Sequence, residues 1–484
     1  MTFRSSLATV ALCLGLVLTG CDLVNDINDP QAITPGQALD TIEGYEALLV
    51  QGYDALQAED HYGQQFMLAP DALADNIRVP NSTSNRYPAF VQNLTGTHLN
   101  RWGGHYQSIN AMNIIIEGID ELEDESATQA NRDQVKGEAY FLRALNYFDL
   151  ARTKGYEPGR EVDGFDLSAI IRTEPTEDLE SADFRERSTN DEVYALVLSD
   201  LDQAASLLNG NERSTNSPAE FATYAAVLAL QARANLYLRN WSAAESAAED
   251  ALSETAAMLV QSDSEGDALV SAWAAPTHPE SIFEVQFTAS TDGDVTNVNA
   301  SLQSLTDPTR PGGSFTDALP TDDLIAAHED GDARLALYAD AVIGTGDGAE
   351  DVQYIQKYTG TSGLDVDRSP VLRVAEMYLI LAEARAEQGD TGGARDALNT
   401  LRNARGLDDL DSGNLIDQVY QERRVELAFE GHRFFDLKRR GLDVPKPQTA
   451  FSVLPYSDFR IIAPLPQTEV NESPVLTQNP GYAG

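Results

Sequence analysis

Ala232-Arg233-Ala234-Asn235-Leu236-Tyr237-Leu238-Arg239-Asn240-Trp241-Ser242-Ala243-Ala244-Glu245-Ser246-Ala247 is the stretch whose reading decides the fold. Apolar and small residues recur there at three- and four-residue steps, break at Asn240-Trp241 and resume. It therefore reads as a hairpin of two helices, Tyr224–Arg239 and Ala243–Leu252. A second hairpin runs over Val371–Gln388, turns at Gly389-Asp390 and returns as Gly393–Arg405. A shift of 150 residues places Ala232 on Ala382, Ala244 on Ala394, Ala247 on Ala397 and Ala251 on Leu401. Small side chains at those places let paired helices approach closely, as in tetratricopeptide-type repeats. The expected fold is mainly α: helical hairpins, with a loop-rich second part holding a few short strands.

Outward from the hairpins, the same period appears in other segments. Ile42, Tyr45, Leu48, Leu49 and Tyr53 mark one helix; Trp102, Tyr106, Ile109, Met112 and Ile116 mark another. Gln134–Lys154 is apolar on two faces, so it must pack between neighbours, and Gly155 ends it. Thr189-Asn190-Asp191-Glu192 reads as a capping box opening the helix Val193–Leu208. Residues 58–98 lose the period and read as a long loop, and 156–187 as an irregular connection. Between the hairpins, Ser281 to Phe287 alternates as a strand does. A last helix is expected over Leu415–Arg440, where Glu422, Glu426 and Glu430 share a face beside Arg423, Arg424 and Arg433, the pattern of a buried ion network.

Charge narrows the function. The chain carries 33 basic and 77 acidic residues, net −44, and only five of the basic ones are lysines, at 136, 154, 357, 438 and 446. Nucleic acid and anionic surfaces are poor partners for such a field. The carboxylates are scattered, not gathered in a tail, which reads as an adaptation to salt or else as a preference for a cationic ligand.

At the start of the chain, Arg4 precedes an apolar run from Leu7 to Leu18, too short to span a bilayer, followed by Leu18-Thr19-Gly20-Cys21. Residues 1–20 read as a signal peptide ending at a bacterial lipobox, with Cys21 as the lipid attachment. Residues 21–40 are its polar spacer. Cys13 would leave with the signal, so Cys21 would be the mature chain's single cysteine, with no intrachain disulfide to form.

Taken together and in order, several words of the sequence resemble the SusD/RagB family of outer-membrane nutrient-binding lipoproteins. They are Glu138-Ala139-Tyr140-Phe141-Leu142-Arg143-Ala144, Glu280-Ser281-Ile282-Phe283, Lys357-Tyr358, and Arg373-Val374-Ala375-Glu376. They continue with Glu422-Arg423-Arg424-Val425-Glu426-Leu427, Glu430-Gly431-His432-Arg433-Phe434-Phe435-Asp436-Leu437 and Gln478-Asn479-Pro480-Gly481-Tyr482. The resemblance implies four tetratricopeptide-like helix pairs, divided as an N-terminal helical region over 41–257 and a C-terminal region over 258–484. It also implies a binding protein without catalytic residues or cofactor, anchored in the outer membrane and facing the exterior. Such a protein would capture a glycan, or a peptide, and deliver it to a SusC-like TonB-dependent transporter. The alternative is a tetratricopeptide-type envelope scaffold without a small nutrient ligand.

Sugar capture needs aromatic faces for the apolar side of the ring and planar amides, carboxylates or guanidinia for the hydroxyls. Tyr62, Asn76, Arg78 and Tyr87 offer these types in the expected loop. Trp102 reads either as a packing residue of its helix or as the lip of a site formed with that loop. Trp273, expected in a loop before the strand, is the first candidate for stacking. The six histidines show no HExxH spacing, and the chain lacks a GxSxG elbow, a P-loop and a usable cysteine nucleophile. Asp292-Gly293-Asp294 and Asp365-Val366-Asp367 do not continue as calcium loops; they read as solvated acidic loops, so no metal is expected.

Overall fold

The computed structural model describes residues 39–81, 86–94, 99–176, 184–215, 217–289, 291–293 and 295–482. Cys21 and the signal-like leader lie outside the described residues, as does nearly all of the spacer. Among the described residues no helix is long and apolar enough to cross a membrane.

Among the described residues the longer helices, of seven residues or more, are α1 (Ile42–Asp54), α2 (Gln65–Leu73), α3 (Gly103–Gly118), α4 (Gln129–Lys154), α5 (Asn190–Leu208) and α6 (Tyr224–Leu238), then α7 (Trp241–Glu254), α8 (Asp267–Ala274), α9 (Val374–Glu387), α10 (Thr391–Ala404), α11 (Leu415–Glu426) and α12 (Arg433–Arg439). They pack as successive pairs, α1 with α3, α4 with α5, α6 with α7 and α9 with α10, and α3, α5 and α7 each meet the next pair. The small residues aligned in the sequence sit at these contacts: Ala232, Ala244, Ala251, Ala382, Ala394 and Leu401 are fully buried. Helix α4 is the central layer. Every residue from Phe141 to Lys154 is buried, which is why its sequence is apolar on two faces. The Thr189/Glu192 capping box opens α5 as the sequence indicates, with the helix beginning at Asn190.

Among the described residues, four two-stranded antiparallel sheets complete the fold, β1 (Ile77–Arg78) with β3 (Leu319–Pro320), β2 (Ser281–Val285) with β6 (Ser369–Arg373), β4 (Tyr338–Ile343) with β5 (Glu350–Ile355), and β7 (Val444–Lys446) with β8 (Ser452–Leu454). Strand β6 runs straight into α9, so Val371 to Arg373 belong to a strand and not to the hairpin.

Two other segments depart from the sequence reading. The stretch expected as a loop over 58–98 contains α2, whose residues from Phe66 to Leu73 are all buried. A helix with no solvent face has no polar stripe to set a period, and Pro70 disguises it further. The helix expected over Leu415–Arg440 breaks after Glu426: Phe429 and Gly431 adopt φ of 64° and 81°. A Cβ on Gly431 would stand 1.9 Å from the carbonyl oxygen of Phe66, so only glycine lets α2 and this turn meet.

The ion network around α11 is buried, and its partners come from elsewhere in the chain. Glu426 accepts from Arg334, Arg373 and Arg405; Glu430 accepts from Lys357 and Arg373; Glu422 pairs with Arg334 and Arg402. Glu280 of the strand word accepts from Arg373 and Arg405. Arg423 instead pairs with Asp436, while Arg424 and Arg433 pair with Asp75. The lysines serve the same interior. Lys154 donates to the carbonyls of Leu99 and Pro464, Lys446 to those of Ala72, Leu73 and Ala74, and burial pulls both ammonium groups down to about 7. Lys357 and Lys438 also cap main-chain carbonyls, beside Glu430 and Glu157 respectively. The scarce ammonium groups are spent inside the fold, leaving Lys136 nearer the surface against Asp120.

Candidate functional site

A groove of about 700 Å³ opens between α1, α3 and the segment 170–176. Its base is set by the start of α3. Trp102 precedes the helix and Tyr106 follows one turn later, so their rings meet at 4.9 Å with planes tilted by 59°. Gln107, Asn110 and Ile114 continue the α3 wall, Leu48 and Gln51 of α1 face them, and Arg172, Thr176 and Glu469 close the rim. Gln51 and Gln107 are exposed, and their side chains make no hydrogen bond with the described residues.

Among the described residues the segment 170–176 has no neighbouring strand, and side chains of α3 and α4 supply its hydrogen bonds instead. The Tyr106 hydroxyl donates to the Ile170 carbonyl at 3.0 Å and accepts from the Ile170 N–H at 2.7 Å. The Tyr147 hydroxyl does the same for Arg172, at 2.8 and 2.7 Å. Asn113 donates to the carbonyls of Arg172 and Glu174, and Asn110 exchanges two bonds with Thr176. Residues 170, 172, 174 and 176 are thus held at every second position, the spacing of a β ladder. Arg143 steadies the array: its guanidinium donates to Asn113 Oδ1 at 2.8 Å and forms a bidentate pair with Asp200. Burial lifts the Tyr106 phenol well above its ordinary value and the Tyr147 phenol to about 12, so both stay protonated and able to donate. Sequence reasoning missed this anchoring. Its signal was Tyr106, Asn110 and Asn113 at four- and three-residue steps on one helix.

The six residues selected from sequence do not come together. Trp102 lines the groove, 4 % exposed. Tyr62 is enclosed, its hydroxyl donating to Asp149 at 3.0 Å. Asn76 is enclosed between Asp71 and Arg424, and Tyr87 between Phe90 and Gln64. Arg78 pairs with Glu350 at 2.9 Å, on a separate shallow hollow by β4 and β5. Trp273 lies in α8, not in a loop. It is 5 % exposed and packed by His278, Tyr358 and the Lys357 ammonium, so its ring faces are taken by protein. The buried side of α8 explains this, a helix too short for its period to declare itself. Of the acidic pairs, Asp294 lies outside the described residues, and the other three carboxylates are held by protein partners instead of solvent. Asp365 pairs with Arg310 and accepts from Ser301, and Asp292 accepts from Gln57 and the Thr288 N–H. Asp367 holds the Gly360 N–H at 2.8 Å. Among the described residues no cluster of histidine, cysteine and carboxylate side chains has a metal-holding arrangement.

Comparison with known proteins gives two matching family models. One, described as the SusD family, matches residues 351–482; the other, described as starch-binding associating with outer membrane, matches residues 25–238. The SusD-like protein P38 of Formosa agariphila is 25 % identical over 535 aligned residues, covering 99 % of each chain. A SusD superfamily protein of Bacteroides thetaiotaomicron superposes with a TM-score of 0.78 at 24 % identity, covering 91 % of this chain and 100 % of that one. A SusD-like carbohydrate binding protein of Bacteroides vulgatus superposes with a TM-score of 0.71 at 25 % identity, covering 84 % of each.

Proposed function

The chain belongs to the SusD/RagB family of non-enzymatic binding proteins, and from that premise we propose that it captures a carbohydrate at the outer membrane in the groove beside α3. The observation that carries this reading is the half-buried Tyr106 ring, backed by buried Trp102 at 4.9 Å, in a groove whose walls and rim supply amides, a guanidinium and a carboxylate. Aromatic carbon meets the apolar side of a sugar ring while planar polar groups meet its hydroxyls. The side-chain ladder along 170–176 holds the far wall at fixed distance, so the groove is formed before the ligand arrives and little ordering cost falls on binding. Captured ligand would then pass to a SusC-like TonB-dependent transporter, with the protein held to the membrane through lipid on Cys21.

Titration calorimetry against a panel of polysaccharides tests the binding step. Gln51→Ala with Gln107→Ala removes two rim hydrogen-bonding groups of about 0.5–1.5 kcal/mol each, so affinity falls about tenfold with the fold intact. Unchanged affinity for a polysaccharide that binds would move the site elsewhere. Co-purification from detergent-extracted outer membranes tests delivery: a large β-barrel in near-equal amount supports it, and other envelope proteins without a barrel argue for a scaffold.

A further inference from the structure

A second hollow, of about 230 Å³, lies on the other side of α1. Its floor is Phe283 and Leu56, both buried, and its walls are Tyr53 and Phe221, half-buried rings 5.4 Å apart and nearly perpendicular. The helix joins the two hollows. Leu48 and Gln51 face the first, while Val50, Tyr53, Asp54 and Gln57 face the second at the spacing of one helical stripe. The exposed crest of α1 at Val50 and Gln51 stands between them, and Val50 is 45 % exposed.

The charge of the second hollow is one-sided. Asp54 and Glu220 stand at its rim, and among the described residues neither side-chain carboxylate makes a hydrogen bond or ion pair. Asp54 is the last residue of α1, where the helix dipole disfavours a negative charge; burial and then Asp292 hold its carboxyl above the usual range. A carboxylate placed against both dipole and neighbour, with no partner, is an acceptor left over for something that donates. Gln57 and Gln286 spend their amide N–H groups on protein carbonyls and carboxylates, leaving their oxygens as further acceptors. Arg213 nearby lies over the Phe221 ring and is paired with Glu138. The hollow therefore accepts hydrogen bonds and repels anions, while its aromatic walls suit the apolar side of a ring.

We propose that the two hollows are subsites for one extended neutral polysaccharide, which crosses α1 between them and donates hydroxyls to Asp54 and Glu220. This rests on the carbohydrate reading above and adds two properties to it. The ligand is a chain, because a helix with side chains is about 10–12 Å across and a single sugar cannot reach both hollows. It carries no carboxylate or sulfate at the second hollow, because the unpaired rim carboxylates of Asp54 and Glu220 repel like charge.

The test uses the whole protein with chelator present and two sets of probes. The first is a size ladder of neutral glucan, xylan and mannan oligosaccharides with their parent polymers; the second is alginate, polygalacturonate and a sulfated galactan. The expected result is tight binding of a neutral polymer, with affinity rising steeply once the chain spans both hollows. Phe221→Ala and, separately, Asp54→Ala then weaken the polymer at least tenfold and leave the shortest bound oligosaccharide unchanged. Asp54→Ala, at an exposed residue without partners, reports even if Phe221→Ala disturbs packing. A bound neutral polymer with no length dependence and no effect of either variant overturns the second subsite while leaving the groove. Tighter binding of the anionic polymers overturns the neutral assignment. Binding of no polysaccharide at all overturns the carbohydrate reading and this proposal with it.

Discussion

Replacing Glu426 by glutamine strikes the centre of the buried ion network. Its carboxylate accepts from Arg405 at 2.8 and 2.9 Å, from Arg373 at 3.1 Å and from Arg334 at 3.1 Å, and all four side chains are at most 4 % exposed. Burial alone would raise this carboxyl; the guanidinia, Arg405 foremost, outweigh it and hold the group well below the usual glutamate range. Glutamine keeps the shape, removes the charge and turns an N–H₂ toward a guanidinium. Breaking a buried pair from one side costs about 3–5 kcal/mol, because the partner charges stay buried. Here each arginine keeps another carboxylate, Glu280, Glu430 or Asp332, so the loss stays within that range and does not triple. Urea unfolding should show a lower midpoint with an unchanged slope. The loss should also persist into molar salt, since buried pairs are little screened. Glu249→Gln, on the exposed partner of Arg385, is the control and should cost under about 1 kcal/mol. A loss of that small size for Glu426→Gln, or one abolished by salt, would refute the claim that the network holds the C-terminal helices to β2 and β6. Because the folded-state value is depressed, the stabilisation is complete above the ordinary glutamate range and is lost as pH falls below about 4.3.

Asp367 has the opposite sign. Burial pushes its carboxyl up to about 7 against the lowering effect of the Gly360 N–H, so the native state prefers it neutral, and the penalty builds as pH rises from the ordinary aspartate range and is complete above about 7. Asp367→Asn should unfold at higher temperature than the parent at pH 8, with the difference shrinking toward pH 4; a constant difference would contradict this. Trp273→Ala should cost about 3–5 kcal/mol by opening a cavity among His278, Tyr358 and Lys357, yet leave polysaccharide affinity unchanged. Weakened binding at full stability would restore its ring to the ligand. Mild acylation of the native protein, read by mass spectrometry, should modify Lys136 and spare Lys154, Lys357, Lys438 and Lys446 until the chain unfolds; early loss of the latter four would show that their burial is wrong.

What was legible in the sequence follows from where solvent falls. Helices with one wet face, such as α1, α5 and α10, print their period in the residues, and the alanines of the hairpins announce close packing before any coordinates. Helix α2 does not, because nothing on it is wet. The break at Gly431 is invisible locally, since its cause is a carbonyl of Phe66 hundreds of residues away. The carboxylates of α11 read correctly as a network, but their four arginines come from other segments and no local spacing gives them. For the site, aromatic type alone put Tyr62, Tyr87 and Trp273 forward, and burial took all three inside. Trp102 was visible as an alternative; the ladder that makes its groove was not, because a strand paired to side chains has no pattern of its own.

The most direct test of the account is hydrogen exchange at backbone amides with and without a bound neutral polysaccharide. The account predicts slowed exchange in residues 48–57, 103–114 and 170–176, the walls of the groove and the crest of α1. Slowing confined to 338–355, around the hollow of Arg78 and β4–β5, would contradict it and place the ligand on the other side of the molecule.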